Sequence, residues 1–442
     1  MRLIQTIKNI FKIEDLRARL IYTFGIILLY RLGKYVTLPG IDPAQLVNLK
    51  HQTSSGLMGL LDMFSGGAFS QASIFALGIM PYISASIVVQ LLGIVFPYFQ
   101  KLQKEGESGR RKMNQYTRYL TIAVLVLQAP TYLINLAHTL PASAFILGGT
   151  FFQVSSVVIL TAGTMFVMWL GEKITDKGIG NGISLIIMIG IVARMPSNFI
   201  FEAGTRMNGA GGAIALIVEV LFLFVVVLGV ILLVQGTRRV PVQYARRIVG
   251  NKQYGGVRQY IPLKVNAAGV MPIIFAQAIM MLPMIIAGYT NSGSGFVVAF
   301  SNMYGFWYNL VTAILIIVFT YFYTAITINP VQMAEDMKKN GGFIPGIKPG
   351  RKTVEFLDTI MSRITFPGSI FLAIVAIMPS LAVKAGVTPQ FAQFYGGTSL
   401  LILVGVILDT LQQIESHLLM RHYDGLMKSG RVKGRSGSVT SI

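Results

Sequence analysis

Side chains able to do chemistry are sparse in this chain, and their spacing matches no catalytic pattern. Cysteine is absent, so no disulfide, thiolate metal site or thiol nucleophile can form. His51, His138, His417 and His422 are scattered, and the last two, five residues apart, do not share a helical face as a ligand pair. Gly341 and Gly346 have the spacing of a phosphate-cradling loop, but the lysine arrives one residue late, at Lys348, and no serine or threonine follows it. The glycines of KGIGNGIS, residues 177–184, follow no strand, so they read better as the start of an apolar helix than as a dinucleotide site. Ionisable groups inside apolar stretches would mark ion coupling, because burying them is costly. Glu219, Glu172 and Asp409 come nearest, each towards one end of its stretch, and Glu219 is placed to snorkel. No cofactor and no enzyme activity is expected from such residues.

The elements that must position these few groups are apolar helices. The chain has 442 residues, 53% hydrophobic and 12% charged, with a mean hydropathy of +0.64. A soluble protein carries about twice that charged fraction, so the sequence predicts an all-α polytopic membrane protein. Charge-poor runs able to cross a bilayer lie at about 20–36, 73–96, 119–137, 151–171, 183–195, 213–235, 267–288, 308–328, 366–383 and 398–415, ten in all. With both termini on the cytoplasmic side, the cytoplasmic segments hold 31 of the 37 lysines and arginines. The exceptions are Arg31, Lys34, Lys50, Arg194, Arg206 and Lys384. Anionic headgroups on that face can account for much of the net charge of +20. The first run, followed by Arg31 and Lys34 with no small-residue cleavage site, is expected to be retained.

The expected organisation is a surface segment at 1–19, an N-terminal half at 20–195, a C-terminal half at 213–415 with cytoplasmic loops 236–266 and 329–365, and a tail at 416–442. Leu3, Ile4, Ile7, Ile10 and Phe11 share one face of the first segment, which suits a helix lying on the membrane; a frayed leader fits as well. Ten spans divide five and five, and an odd-numbered half inserts the next half with opposite orientation. Inverted halves around a central path are a recurrent transport architecture.

Residues 57–96 stand apart. They carry no charge after Asp62, and their second part is long enough to span, whereas 57–72 is too short and is weakened by Gly59, Gly66 and Gly67. A short, breakable apolar piece running into a span suggests a re-entrant segment held in a protein-lined cavity; a surface turn before an ordinary span is the plain competitor.

The run DMFSGGAFSQASIFALGIMPYISASIVVQLL resembles the plug and second span of the SecY/Sec61-alpha family of protein-export channels. So, in the same order, do GIGNGIS from Gly178, PLKVNAAGVMPIIFA from Pro262, FIPGIKPG from Phe343 and FYGGTSLLI from Phe394. The resemblance implies a channel passing unfolded polypeptides and releasing apolar segments sideways into lipid. It implies a plug at about 57–72 that includes Asp62, Met63, Phe64, Ser65, Gly66 and Gly67. It places an apolar pore ring on Ile79, Ile83, Ile187, Ile274 and Ile402, and a lateral gate on Ser84, Gln128 and Gln277. Docking of a ribosome or motor falls on Arg238, Arg239, Arg246, Arg247, Arg258, Lys348 and Arg351. Lys348 departs from the family's usual arginine in GIRPG, keeping the charge but losing the two-pronged fork. Implied partners are the small SecE and SecG membrane subunits, the SecA ATPase, ribosomal RNA phosphates, signal sequences and membrane lipids, with the bacterial inner membrane as location. A secondary transporter for a small solute is the alternative, but the scarcity of mid-membrane acids and histidines favours a passive pore.

Overall fold

The computed structural model describes residues 13–46, 62–146, 149–209, 212–244, 247–249, 252–254, 258–277, 279–280 and 302–428. Most of the expected surface segment, plug residues 57–61, Arg246, the later part of the seventh span and the end of the tail lie outside them. The described residues fall into two compact units, one of 13–46, 62–193 and 406–428, the other of 194–405.

In the first unit the helices are α1 (Glu14–Gly33), α2 (Met80–Val95), α3 (Pro97–Lys104), α4 (Glu107–Thr139), α5 (Thr150–Lys177) and α6 (Gly182–Val192). Glu14 and Asp15 open α1 and Arg31 lies in its last turn, so charge opposes the helix dipole at both ends. Pro81 sits in the first turn of α2, where its missing N–H costs nothing. The second span is therefore shorter as a helix than its apolar run, since 73–79 are turns and a bridge. After α2 the chain bends by 103° into α3, and α4 packs on both and on α5. The KGIGNGIS stretch is the α5–α6 turn. Asn181 caps α6 by accepting from the Ser184 N–H at 3.3 Å, and the Gly182 N–H donates to the Thr175 hydroxyl at 2.9 Å.

The second unit holds α7 (Met195–Asn208), α8 (Gly212–Gln235), a helical stretch at 271–277, α9 (Phe306–Thr327), α10 (Pro330–Lys339), α11 (Arg351–Lys384) and α12 (Pro389–Ala392). The division between the units falls inside α13 (Gly397–Lys428), after Gly405. Tyr308, Thr312, Ile316, Thr320 and Thr324 recur every fourth residue along the buried stripe of α9. Each of Thr312 and Thr320 turns its hydroxyl back onto the carbonyl four residues earlier, so small polar residues pack without orphaned donors.

The first basic loop is not irregular. It forms β1 (Thr237–Tyr244), β2 (Arg247–Val249), β3 (Lys252–Tyr254) and β4 (Arg258–Lys264), with β5 (Gly342–Phe343) contributed by the second basic loop. β1 is central between antiparallel β4 and β5, and β2 pairs with β3. Val240, Val242 and Leu263 point to one face and pack with Met337, Ile344, Leu357 and Met361. That small core supports two loops otherwise rich in charge.

Among the described residues seven helices are long and apolar enough to cross a membrane, or eight if the bent α2–α3 pair is one span.

Candidate functional site

Residues 62–79 form a folded knot inside the first unit. Asp62 Oδ1 accepts the Ser70 N–H at 2.8 Å, the Gly67 N–H donates to the Asp62 carbonyl at 2.7 Å, and Ser65 Oγ accepts the Phe69 N–H at 3.1 Å. These local bonds satisfy backbone groups that helix would otherwise use, which is how a glycine-rich segment can be buried at all. Residues 62–70 are buried throughout. Gly66 and Gly67 have φ of +65° and +89°, which only glycine adopts without strain.

The flanking chain is seated from two sides. The Leu38 N–H donates to the Ala72 carbonyl at 2.8 Å and the Ile74 N–H to the Val36 carbonyl at 2.9 Å, so residues 36–38 run beside 72–74. Phe75 stacks on Tyr30 and on Phe166, each at 6.1 Å between centroids. The knot itself is held by spans: Tyr30 Oη donates to the Ser65 carbonyl at 3.3 Å, Arg31 Nη1 to the Gly66 carbonyl at 3.2 Å and Tyr132 Oη to the Phe69 carbonyl at 3.0 Å. Tyr132 also sets its ring edge-on to Phe69 at 4.8 Å.

Ile79 and Ile83 follow at the start of α2, one turn apart, with the Ile83 N–H donating to the Ile79 carbonyl at 3.0 Å. Ile79 is buried and Ile83 half-buried. Ile187 is buried on α6, three residues before Gly190, which touches the knot. Ile274 and Ile402 belong to the second unit, the former half-buried, the latter buried near the start of α13. Ser84 bonds back to the Met80 carbonyl at 3.1 Å on α2, Gln128 is exposed on α4, and Gln277 is half-buried in the second unit.

In the basic loops Arg238 and Arg239 on β1 and Arg258 on β4 are exposed, and Arg247 lies in β2. Lys348 is exposed at a tip whose flanking Gly346 and Gly350 have φ of +84° and +103°. Arg351 is engaged, its Nε 3.3 Å from Glu355 Oε1, whereas Lys348 has no side-chain partner among the described residues.

One cluster escaped the sequence reading. Glu219 does not snorkel: it is buried and ion-paired with Arg206 Nη2, while Arg206 Nε reaches Glu202 Oε1 at 3.2 Å. Glu202 Oε2 also accepts from the Thr388 N–H at 3.0 Å and from the Thr388 hydroxyl. Glu202 and Arg206 stand four apart, the spacing of a helical ion pair, which was the available signal. Elsewhere Glu172 pairs with Arg118 through two contacts, and Asp409 is exposed.

Long apolar helices packed around a short, largely non-helical segment whose backbone is satisfied locally define a class, the multi-pass helical membrane proteins. In fold the chain is similar to a solved SecY structure described as showing that the plug domain stabilizes the closed state of the translocation channel and maintains a membrane seal. The TM-score is 0.57 at 17% identity, covering 90% of this chain and 92% of that one. Sec61 in the canine ribosome-channel complex from the endoplasmic reticulum gives a TM-score of 0.53, also at 17% identity, with coverage of 90% and 92%. A family model described as SecY matches residues 73–411. The protein translocase subunit SecY of Corynebacterium glutamicum is 44% identical over 438 residues, 95% of this chain and 98% of the relative. The chain belongs to the SecY family: it is a channel subunit of a protein translocase and not an enzyme.

Proposed function

We propose that this subunit passes unfolded secretory polypeptides across the bacterial inner membrane, with both termini cytoplasmic, and releases apolar segments sideways into lipid. The observation that carries the mechanism is the knot at 62–79, a locally satisfied segment seated among the helices of its own unit. Residues 62–67 act as the plug. Ile79, Ile83, Ile187, Ile274 and Ile402 act as a stiff apolar collar that stays dry when empty and yields around an extended chain. Ser84, Gln128 and Gln277 mark the lateral gate, a seam of hydrogen bonds worth roughly 0.6 to 2 kcal/mol each, closed yet openable.

The exposed arginines of the β1–β4 sheet, with Lys348 and Arg351, form the docking face for a ribosome or the SecA ATPase. Clustered cations suit rRNA phosphates through counterion release and acidic protein surfaces through steering. The likeness in fold to Sec61 of a ribosome-channel complex supports a ribosome as a partner. SecE and SecG complete the channel in the membrane.

No specific observation favours a coupled transporter. The buried acids Glu202 and Glu219 share Arg206 rather than standing open to an ion path. Affinity capture of the chain from gently solubilised membranes, followed by identification of co-purifying proteins, tests the reading. Recovery of small one- to three-span subunits and an ATPase is expected; isolation without any small membrane subunit would count against it.

A further inference from the structure

We propose that Tyr30, Arg31 and Tyr132 are a latch that sets how readily the plug leaves its seat. The proposal rests on the reading of residues 62–67 as the plug. All three groups aim a side-chain donor at a main-chain oxygen, those of Ser65, Gly66 and Phe69. A latch on carbonyls makes no direct hydrogen bond to the plug's side chains. It holds the backbone path, and the path is fixed by the two left-handed glycines and the Asp62 and Ser65 turns.

The three donors are not equivalent. Tyr30 and Tyr132 are 2% and 5% exposed, so while the plug is seated neither hydroxyl has water as an alternative partner. A buried donor left without a partner is penalised by its full desolvation cost, which exceeds the net worth of the bond it made. Tyr132 has the shorter bond, 3.0 Å against 3.3 Å, and its ring also braces Phe69. Arg31 is half-buried and can turn to water, but its bond is charge-assisted. Among the described residues the Gly66 carbonyl has no backbone donor, so Arg31 supplies its partner. Arg31 was also one of six cations left off the basic face of the chain, and this contact gives it a task there.

Lifting the plug breaks all three bonds at once. The latch is thus a threshold on opening, set by spans one and three. Its residues are positioning residues: they act on the plug, not on the passing polypeptide.

The test uses the full chain, co-purified with its membrane subunits and reconstituted in planar bilayers, where open time is read as ion current. Tyr132→Phe keeps the ring and removes only the hydroxyl, and Arg31→Gln keeps a donor while removing the charge. Each is expected to raise the open fraction about five-fold, the scale of one net hydrogen bond, without a change in the unfolding temperature of the purified complex. Tyr98→Phe, which removes a hydroxyl bonded to Tyr116 well away in sequence on α3, should leave the current at the parental level. Excision of residues 63–69, which removes all three accepting carbonyls, serves as the reference. In that background Tyr132→Phe should add nothing, because a latch without a plug has nothing to hold.

If the excised channel conducts while Tyr132→Phe and Arg31→Gln are both as tight as the parent, the latch is wrong and the plug stands. If Tyr132→Phe adds the same current with or without the plug, Tyr132 acts through something else and the latch is again wrong. If excision itself leaves the membrane tight, the plug reading underneath fails.

Discussion

Gly66 and Gly190 meet backbone to backbone. A methyl group built on Gly66 would stand 2.9 Å from the Gly190 Cα, and one built on Gly190 would stand 3.2 Å from the Gly66 Cα. The contact joins the proposed plug to α6, the helix that also carries Ile187, so the depth of that plug and one member of the proposed collar are set by a single close approach. Interiors packed at this density do not absorb an added methyl without displacement.

Gly190→Ala therefore separates helix propensity from packing. At an unconstrained helical site the change would stabilise by roughly 1 kcal/mol. Here it is expected to lift the plug, giving ion leak in reconstituted channels with normal membrane assembly. Gly66→Ala should leak more, because it adds about 1 to 2 kcal/mol of left-handed backbone strain to the same clash. Equal tightness of both variants and the parent would mean that the contact does not set plug depth.

Arg206 holds two buried carboxylates apart in charge, those of Glu202 and Glu219. Arg206→Met removes the only cation of that triad and is expected to destabilise the second unit by about 3 to 5 kcal/mol. The readout is the thermal unfolding midpoint in detergent, where Arg206→Met should fall well below the parent. Adding Glu219→Gln to Arg206→Met should recover part of the loss by removing one uncompensated charge. An unchanged midpoint in Arg206→Met would show that the triad contributes little.

At the loop tip, Lys348 is exposed without a side-chain partner among the described residues, while Arg351 makes a solvent-exposed ion pair with Glu355 through Nε. Lys348→Glu is expected to impair ATPase-driven export while leaving membrane assembly intact, since an exposed charge contributes about 0 to 1 kcal/mol to folding. Normal export by Lys348→Glu together with failure of Arg351→Glu would place the docking role three residues later.

Orientation is open to direct measurement. A reporter fused at Gly346 should be cytoplasmic and one at Ser143 external, as the separation of 31 basic residues from six requires. An external signal at Gly346 would overturn the ten-span order.

The long apolar helices were legible because burial in lipid leaves an unbroken hydrophobic run, as in Gly212–Gln235. The sheet in the first basic loop was not, because its inward residues, Val240, Val242 and Leu263, are separated by arginines and prolines that read as loop. It also needs β5, whose residues pair with β1 from about 100 positions later, a pairing that no local pattern announces. The start of α2 at Met80 was masked in the same way: residues 73–79 are as apolar as a span, but their backbone is tied to residues 36–38 and to the knot. Arg31 and Arg206 appeared in the sequence only as exceptions to a charge rule. Their tasks lie in partners at positions 66, 202 and 219, which charge counting does not connect.

The central claim is that β-branched side chains seal the conducting path, and electrical measurement of the Ile83→Asn, Ile187→Asn and Ile402→Asn triple variant tests it most directly. Amides placed in a dry collar hold water and lower the barrier to wetting. Ile217→Asn and Ile316→Asn are the controls: Ile217 is 65% exposed on α8 and Ile316 is fully buried on α9, so polar groups there should reduce assembly without opening a path. The account predicts a steady ion current through the reconstituted triple variant, larger still when residues 64–68 are deleted, together with export of substrates whose signal sequences are defective. A triple variant that remains tight to ions and still rejects defective signals would contradict it.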